Sequence, residues 1–546
     1  MHERDDDHPP TAGVLVYRQS GWTRVTHWLW AVSLFFLLLT GLQIFNAHPT
    51  LYVGDQSGFS FDNAVFSMSG ENTPQGPAGY TTILGYRFDT TGVFGVSESR
   101  GQMIGRGFPA WATIPSHVDL ATGRVIHFFF AWLLVGTLLI WFAASLANGH
   151  FRRDIVPNRE DVRNLPKDIA DHARLRFHHA RDYSVLQKLA YASVLVVMLP
   201  LMILTGLAMS PGMNAAMPWL PEILGGRQTA RTIHFVVMAL LVGFFVVHML
   251  MILAAGPFNE MRSIITGWYR TGSARHARSG EERAMAFQLS RRRLLTGATA
   301  AGSSLALSGC DAFDGLTRNG SAVRSVLEQA NSLTYRVQRM LLSSDALAQE
   351  FSESEIRQPQ RPNGVTQPAD ALYRTMSAGG FADYRLTVKG LVEKPLTLTL
   401  AELQAVPART QVTRHDCVEG WSCIAKWTGV PLAYVLDQAR PKEAARFAVF
   451  QCFDTIAKSL SGEVKYYESI DLIDARHPQT ILAYGLNGEA LPVANGAPLR
   501  LRVERQLGYK MAKYVHTVEL VESLDGYGGG KGGYWEDNGY DWFAGI

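Results

Sequence analysis

The sequence predicts two folds in one chain: an all-α transmembrane four-helix bundle, followed by an α+β, strand-rich domain. Three observations carry this. Four apolar stretches before residue 256 are each long enough to cross a hydrocarbon core of ~30 Å as a helix. Beyond Tyr384 the hydrophobic period changes to two, in Leu386 and Val388, then Leu396, Leu398 and Leu400, and later Leu499, Leu501 and Val503. Finally, 47% of residues are hydrophobic while mean hydropathy is only +0.01, an average over an apolar half and a polar one.

The 546 residues are too many for one domain. Residues 1–20 read as a polar tail. The spans are Trp22–Phe45, Thr122–Ala147, Ser184–Met209 and Thr229–Ala255, and residues 46–120 read as a long Gly/Ser/Thr-rich loop. Eight Lys or Arg lie between Arg152 and Arg181, and more follow Pro257. The positive-inside rule makes both regions cytoplasmic and puts the 46–120 loop outside. The net charge of +3 gives no electrostatic case for nucleic acid.

Ionisable side chains inside a membrane are costly and mark function. His234 and His248 sit 14 residues apart in span four, close to four helical turns and about 21 Å, so they share a face near opposite leaflets. His27 begins span one at the inner face, where span four ends with His248. His127 begins span two at the outer face, where His234 begins span four. Two imidazole pairs, one per leaflet, are the axial ligand sets of two haem b groups; interhelical polar contacts are the bland alternative. His117 and His150 near the ends of span two compete if that span is shifted. Leu39-Thr40-Gly41-Leu42 recurs as Leu204-Thr205-Gly206-Leu207. Its glycines suit close approach of a porphyrin edge or of a neighbouring helix.

GWTRVTHWLWAVSLFFLLLTG, GRVIHFFFAWLLVG and RTIHFVVMALLVGFFVVHM resemble the bacterial di-haem cytochromes b of membrane hydrogenases and formate dehydrogenases, over about residues 15–270, with the membrane domain itself at 21–270. The resemblance implies exchange with membrane quinone or quinol near one haem, and His27, His127, His234 and His248 as ligands.

At the junction (271–310), Ser290-Arg291-Arg292 before a mild apolar run resembles a twin-arginine export signal. Leu307-Ser308-Gly309-Cys310 resembles a lipoprotein processing box, with an uncleaved fifth span as the alternative. Export puts the remainder in the periplasm, on a multi-pass protein of the bacterial inner membrane. Residues 311–370 read as a helix (Ser321–Gln349, with Val323, Val326, Leu327, Leu333, Val337, Met340 and Leu341 on a helical period) and a Pro/Gln-rich linker.

The chemistry of the last domain (371–546) centres on RHDCVEGWSCIAKWTGVPL. Cys417 follows a strand beside His415 and precedes a glycine turn. Such a thiolate is a nucleophile or a soft metal ligand, and a lone buried cysteine is otherwise inert. Four cysteines without C-x-x-C spacing exclude c-type haem and common iron–sulfur patterns; a Cys423–Cys452 disulfide is conceivable. CVEGWS with WTGVPL, Val388–Pro395, Asn495–Arg500 and Gly508–Lys513 resemble the sulfite oxidase superfamily, in its periplasmic sulfoxide-reductase branch. That resemblance implies a sulfite-oxidase-like fold and one molybdopterin with molybdenum, Cys417 being the protein's thiolate ligand. Asn495, Arg500 and Lys513, and more weakly Asn363, then hold the pterin and its phosphate, while His415 and Tyr509 line the catalytic pocket beside Trp421 and Lys426. Val418-Glu419-Gly420 stands where sulfite-binding arginines follow the cysteine in vertebrate-type members, which argues for a small S- or N-oxide over sulfite. The expected function is quinol-driven reduction of that oxide. The same parts in reverse make a sulfite-type dehydrogenase, and a haem-only electron-transfer protein with a non-catalytic binding domain is the other alternative.

Overall fold

The computed structural model describes residues 14–58, 62–99, 101–174, 183–271, 314–315, 317–459 and 462–546. The twin-arginine-like run and Cys310 lie outside them. Four helices are long and apolar enough to cross a membrane: α1 (Gly21–Phe45), α2 (Leu120–Ala147), α4 (Val185–Ala208) and α5 (Arg227–Ala255). They coincide with the expected spans to within two residues. Helix α3 (Arg159–Ala173) lies in the basic connection, closed at its N-terminus by an Asn158–Asp161 capping box. The chain forms two compact units, one of residues 1–38, 130–203 and 235–309, the other of 39–129, 204–234 and 310–546.

In the first unit Leu134, Leu138, Val194 and Leu199 pack with Trp30, Leu34, Leu37 and Phe244. Trp30 Nε1 donates to Thr137 Oγ1 at 3.0 Å, so the indole's polar edge is satisfied in an apolar setting. Helix α4 passes through a π-helical turn at Ser193–Met198. The N-terminal segment is not wholly a tail, because β1 (Leu15–Tyr17) pairs antiparallel with β8 (Trp268–Arg270). Arg18, next in line, stacks on Tyr183 and Tyr269 at 4.9 and 4.5 Å.

In the second unit, residues 46–120 depart from the expected loop. They form the antiparallel sheet β2 (Thr50–Tyr52), β3 (Ala64–Thr73), β4 (Gly76–Ile83) and β5 (Tyr86–Asp89), and a ribbon of β6 (Gly95–Ser99) with β7 (Gln102–Arg106). Gly95, at φ +78°, lets the ribbon approach the sheet so closely that any side chain there would strike the backbone of Ser69 and Tyr80.

The expected helix at 321–349 is two shorter ones, Ala322–Leu327 and α6 (Gln329–Leu341). Leu327 is buried, but most of the expected helix's apolar stripe does not face the core. Val323, Val326, Leu333, Met340 and Leu341 are exposed, while α6 is held through Arg339 to Asp471 (2.8 Å) and Asp474 (2.7 Å).

The C-terminal domain has two sheets. One runs β10 (Leu396–Thr399), β9 (Arg385–Gly390), β18 (Val515–Val521), β13 (Phe447–Ser459), β14 (Gly462–Asp471), with only β9 and β18 parallel in this order. The other runs β11 (Arg409–Asp416), β12 (Ser422–Pro431), β15 (Ile481–Leu486), β16 (Glu489–Ala490), with β17 (Arg500–Arg502) also on β15. The alternating residues Leu386, Val388, Leu499, Leu501 and Val503 enter the main core with Phe450, Val518 and Leu520. The aromatic C-terminal segment caps this domain: Trp542 stacks edge-on against Phe447 at 5.5 Å.

Candidate functional site

Strands β11 and β12 form a hairpin in which His415 faces Cys423 and Asp416 faces Ser422. The five residues between carry the thiol. Cys417 N–H donates to the Trp421 carbonyl at 2.9 Å, and Gly420 N–H to the Cys417 carbonyl at 3.0 Å. Gly420 takes φ +109°, a backbone that side chains resist. Cys417 is 8% exposed and packs with Trp421, Cys423 and Val418. Its Sγ lies 3.8 Å from Glu419 Oε2, which accepts from Trp421 Nε1 at 2.8 Å. Burial and then the Glu419 carboxylate push the thiol up to about 12. A metal at the sulfur reverses that order, since a coordinating thiol is deprotonated outright.

A cationic cluster is built from Arg500, on β17 of the same sheet, and Lys513. Arg500 Nη1 donates to the Asn495 carbonyl and Nη2 to Asn363 Oδ1, each at 3.0 Å. Lys513 Nζ donates to the carbonyls of Asn363 (2.8 Å) and Ala494 (2.7 Å), and to that of Val365. The two cations therefore grip the same residue, Asn363. Gly496 makes room for them, because a Cβ there would come within 3.0 Å of Lys513 Cγ and 3.3 Å of Arg500 Cβ. Among the described residues neither cation is salt-bridged to a carboxylate, whereas neighbouring Arg502 is neutralised by Glu504 at 2.6 Å. Burial, then Arg502, brings Arg500 down to about 9. Burial, then Arg500, brings Lys513 down to about 7.

His415 is buried against Gly508. Arg502 Nη1 donates to its Nδ1 at 2.9 Å. A guanidinium can only donate, so Nδ1 accepts and Nε2 carries the hydrogen. Burial first, then Arg500, Arg502 and Lys513, hold this imidazole well below its ordinary range, hence neutral. His415 Nε2, Arg500 Nε and Asn495 Nδ2 are buried without a partner. Buried polar atoms are normally paired. Two buried cations without a salt bridge among the described residues, both acting on His415 two residues before the thiol, and three orphaned polar atoms fit a bulky anionic group rich in acceptors, as a pterin phosphate is. A cavity of about 560 Å³ opens at the Lys513 end, lined by Gln367, Tyr373, Arg374, Val493 and Ala494, and does not reach Cys417.

Two expected pocket residues are placed otherwise. The Tyr509 hydroxyl donates to the Asp541 carbonyl at 2.6 Å. Its ring packs with Trp535, Tyr540 and Val418, so it serves as wall next to the Cys417 loop. Lys426 turns to Glu353 at 2.9 Å. Cys423 and Cys452 are free thiols, so the conceivable disulfide is not made. Residues that the sequence did not single out include Arg361, stacked on Trp421 at 4.9 Å. Its only sequence signal was its place beside Pro362 and Asn363. Asp454 is another, a buried carboxyl that burial pushes up to about 6.

The four membrane histidines fall as two sets. In the second unit, Thr40 Oγ1 is 3.1 Å from His127 Nδ1 and Thr205 Oγ1 is 2.9 Å from His234 Nδ1. Gly41 and Gly206 face the same two rings: a Cβ would lie 3.5 Å from His127 Cε1 and 3.9 Å from His234 Cε1. The repeated Leu-Thr-Gly-Leu thus supports an imidazole in both copies. In the first unit, His27 and His248 are close enough to interact electrostatically. His27 Nδ1 is buried without a partner, and His248 stacks on Phe244 at 5.7 Å. Among the described residues no three His, Cys, Asp or Glu converge as a metal cage. Porphyrin and dithiolene bring their own donor atoms, so two imidazoles or one thiolate suffice.

A family model for prokaryotic cytochrome b561 matches residues 18–267, and one for the oxidoreductase molybdopterin binding domain matches residues 375–526. YedZ1 of Azospira oryzae, provisionally named a protein-methionine-sulfoxide reductase subunit, is 38% identical over 239 residues, which are 44% of this chain and 81% of that one. The protein-methionine-sulfoxide reductase catalytic subunit MsrP of Xanthomonas campestris pv. campestris is 38% identical over 150 residues, 26% of this chain and 46% of MsrP. The chain thus spans about half the length of that catalytic relative. The sulfane dehydrogenase SoxCD of Paracoccus pantotrophus aligns with 26% of this chain and 39% of its own at 26% identity, with a TM-score of 0.23.

Proposed function

Because the chain belongs to the YedZ1 family through a prokaryotic cytochrome b561 domain and continues into an oxidoreductase molybdopterin binding domain, we propose that it is a membrane-bound reductase of S-oxides, of the methionine sulfoxide class, driven by membrane quinol. Quinol gives up two electrons and two protons. The S-oxide takes up two electrons and two protons, its S=O bond breaks, and thioether and water leave. Two haem b groups, when bound, would be held by His27 with His248 and by His127 with His234, and would supply one-electron transfer. The C-terminal domain works in the periplasm: the basic 152–181 connection puts the start of α5 at the outer face, and Arg227 and Gln228 at that start hydrogen-bond Ser422 of the domain.

Cys417 supplies the thiolate ligand, and Asn495, Arg500 and Lys513, with Asn363, hold the pterin and its phosphate. The molybdenum centre, when bound, supplies two-electron oxygen-atom exchange. His415 presents its Nε2 hydrogen as a donor, Trp421 stands beside the thiol, and Tyr509 with Tyr540 excludes water from that side. The observation that carries this reading is the pair of buried cations, Arg500 and Lys513, without a salt bridge among the described residues and close to His415, two residues before the thiol. Such a pair is costly unless an anion completes it.

Metal and haem analysis of the full chain tests the assignment. Wild type is expected to carry molybdenum and two haems per chain and to oxidise reduced viologen with methionine sulfoxide. Cys417→Ser is expected to keep both haems and lose turnover. Haem without molybdenum in wild type would leave an electron-transfer protein only.

A further inference from the structure

The start of α5 is deeply buried, with Arg227 3% and Gln228 0% exposed. Both side chains turn to the hairpin that carries Cys417. Arg227 Nη1 donates to Ser422 Oγ at 2.9 Å, and its Nε faces Asp416 Oδ2 at 3.5 Å. Gln228 Nε2 donates to the Gly420 carbonyl and to Ser422 Oγ, both at 2.9 Å. Ser422 Oγ in turn donates to Asp416 Oδ1 at 2.7 Å, closing the base of the loop. Residues 55–57 complete the joint. Asp55 Oδ1 accepts from Arg414 Nη1 at 2.7 Å and from Arg227 N–H at 3.3 Å, while Ser57 N–H donates to the Ser422 carbonyl at 2.9 Å.

His234 follows Arg227 by seven residues, two helical turns, so both leave one face of α5 about 10 Å apart along the axis. Arg231 stands between them, its guanidinium 3.0 Å from where a Gly420 Cβ would be. Simple attachment of the domain could use any of its surface. These contacts converge on the five-residue loop of the thiol and on the helix of an imidazole ligand.

We propose that Arg227 and Gln228 are positioning residues that seat the Cys417 loop on α5 for one-electron transfer from the haem held by His127 and His234. The assignment rests on the cofactor reading above. Each passage moves one electron from haem to the Cys417 side. Two passages, with two protons, break one S=O bond and release its oxygen as water, while one quinol becomes quinone.

The test uses the full, cofactor-loaded chain. Haem is reduced with a quinol analogue, the protein is mixed with methionine sulfoxide, and haem reoxidation is followed by its absorbance. Gln228→Ala and Arg227→Gln are expected to slow reoxidation about tenfold, as loss of a coupling contact does, with molybdenum content, haem spectrum and viologen-driven turnover unchanged. Arg227→Lys, which keeps a charge for Asp416, is expected to recover most of the rate. Where Gln228→Ala loses molybdenum, the milder Gln228→Asn replaces it. Reoxidation at the wild-type rate in these variants would overturn the proposal and leave the cofactor reading standing. So would a viologen-driven rate that falls in the same proportion, because the joint would then serve only the folding of the loop. A wild type without molybdenum overturns the cofactor reading itself.

Discussion

Thr205 Oγ1 lies 2.9 Å from His234 Nδ1, and Thr40 repeats the relation with His127 at 3.1 Å. A partner on Nδ1 fixes the ring and leaves Nε2 for iron. Thr205→Val keeps the side-chain shape and removes the oxygen. It is expected to weaken haem binding at the His127/His234 site about 10- to 100-fold, with the His27/His248 haem untouched. Stepwise haem titration of the cofactor-free chain checks this, and equal losses at both sites would refute it.

The spacing of the membrane histidines was legible because a helix converts sequence separation into depth. The threonines were not assigned, since Leu-Thr-Gly-Leu reads equally well as a packing motif. The strands at Leu386–Val388 and Leu499–Val503 showed themselves by alternation, and both entered the core. The stripe from Val323 to Leu341 misled, because helical period shows that a face is apolar and not what covers it. In residues 46–120 the Ser, Thr and Gly content hid six strands among the described residues, although each pairs with its sequence neighbour, because stretches such as Ala64–Thr73 lack the apolar alternation that marks a strand. Contacts such as Arg227 to Asp416 join residues far apart in sequence and leave no local pattern at all.

Lys513 gives a proton-linked prediction. Without its anion, burial and Arg500 bring it down to about 7, far below its unfolded range near 10.4. Between these values the unfolded chain binds the extra proton, so this lysine's contribution to the stability of the cofactor-free chain rises with pH from about 7 to about 10. Binding an anion there at alkaline pH requires proton uptake, so cofactor affinity is expected to fall as pH rises through 7. Unfolding and cofactor-loading curves at several pH values check both signs. Lys513→Met is expected to flatten both.

Lys510 carries a structural prediction. It is fully buried between Glu468 and Glu536, each at 2.5 Å, and burial with Glu536 beside it holds Glu468 well above the usual carboxylate range. Lys510→Met removes the only cation among the described residues that bridges the two. The expected cost is about 3–5 kcal/mol, the usual consequence of stranding a buried charge, read as a lower denaturation midpoint. Recovery by the added Glu536→Gln would show that repulsion between the carboxylates is the cause.

Two glycines separate cofactor binding from electron delivery. At Gly496, φ +116°, a methyl group would meet Lys513 Cγ at 3.0 Å and Arg500 Cβ at 3.3 Å. Gly496→Ala therefore disturbs the cations proposed to hold the phosphate, and molybdenum content is expected to drop. At Gly420, φ +109°, the methyl group would meet the Arg231 guanidinium at 3.0–3.1 Å. That side chain is anchored on the carbonyls of Thr50 (2.5 Å) and His48 (2.8 Å), so it yields only by losing them. A residue with a Cβ also costs roughly 1–2 kcal/mol in such a backbone. Gly420→Ala is expected to retain molybdenum and to slow haem reoxidation by the S-oxide more than viologen-driven turnover. If the two variants instead lose molybdenum equally, the Cys417 loop and the Arg500–Lys513 cluster form one indivisible binding site, and α5 has no separate part in delivering electrons.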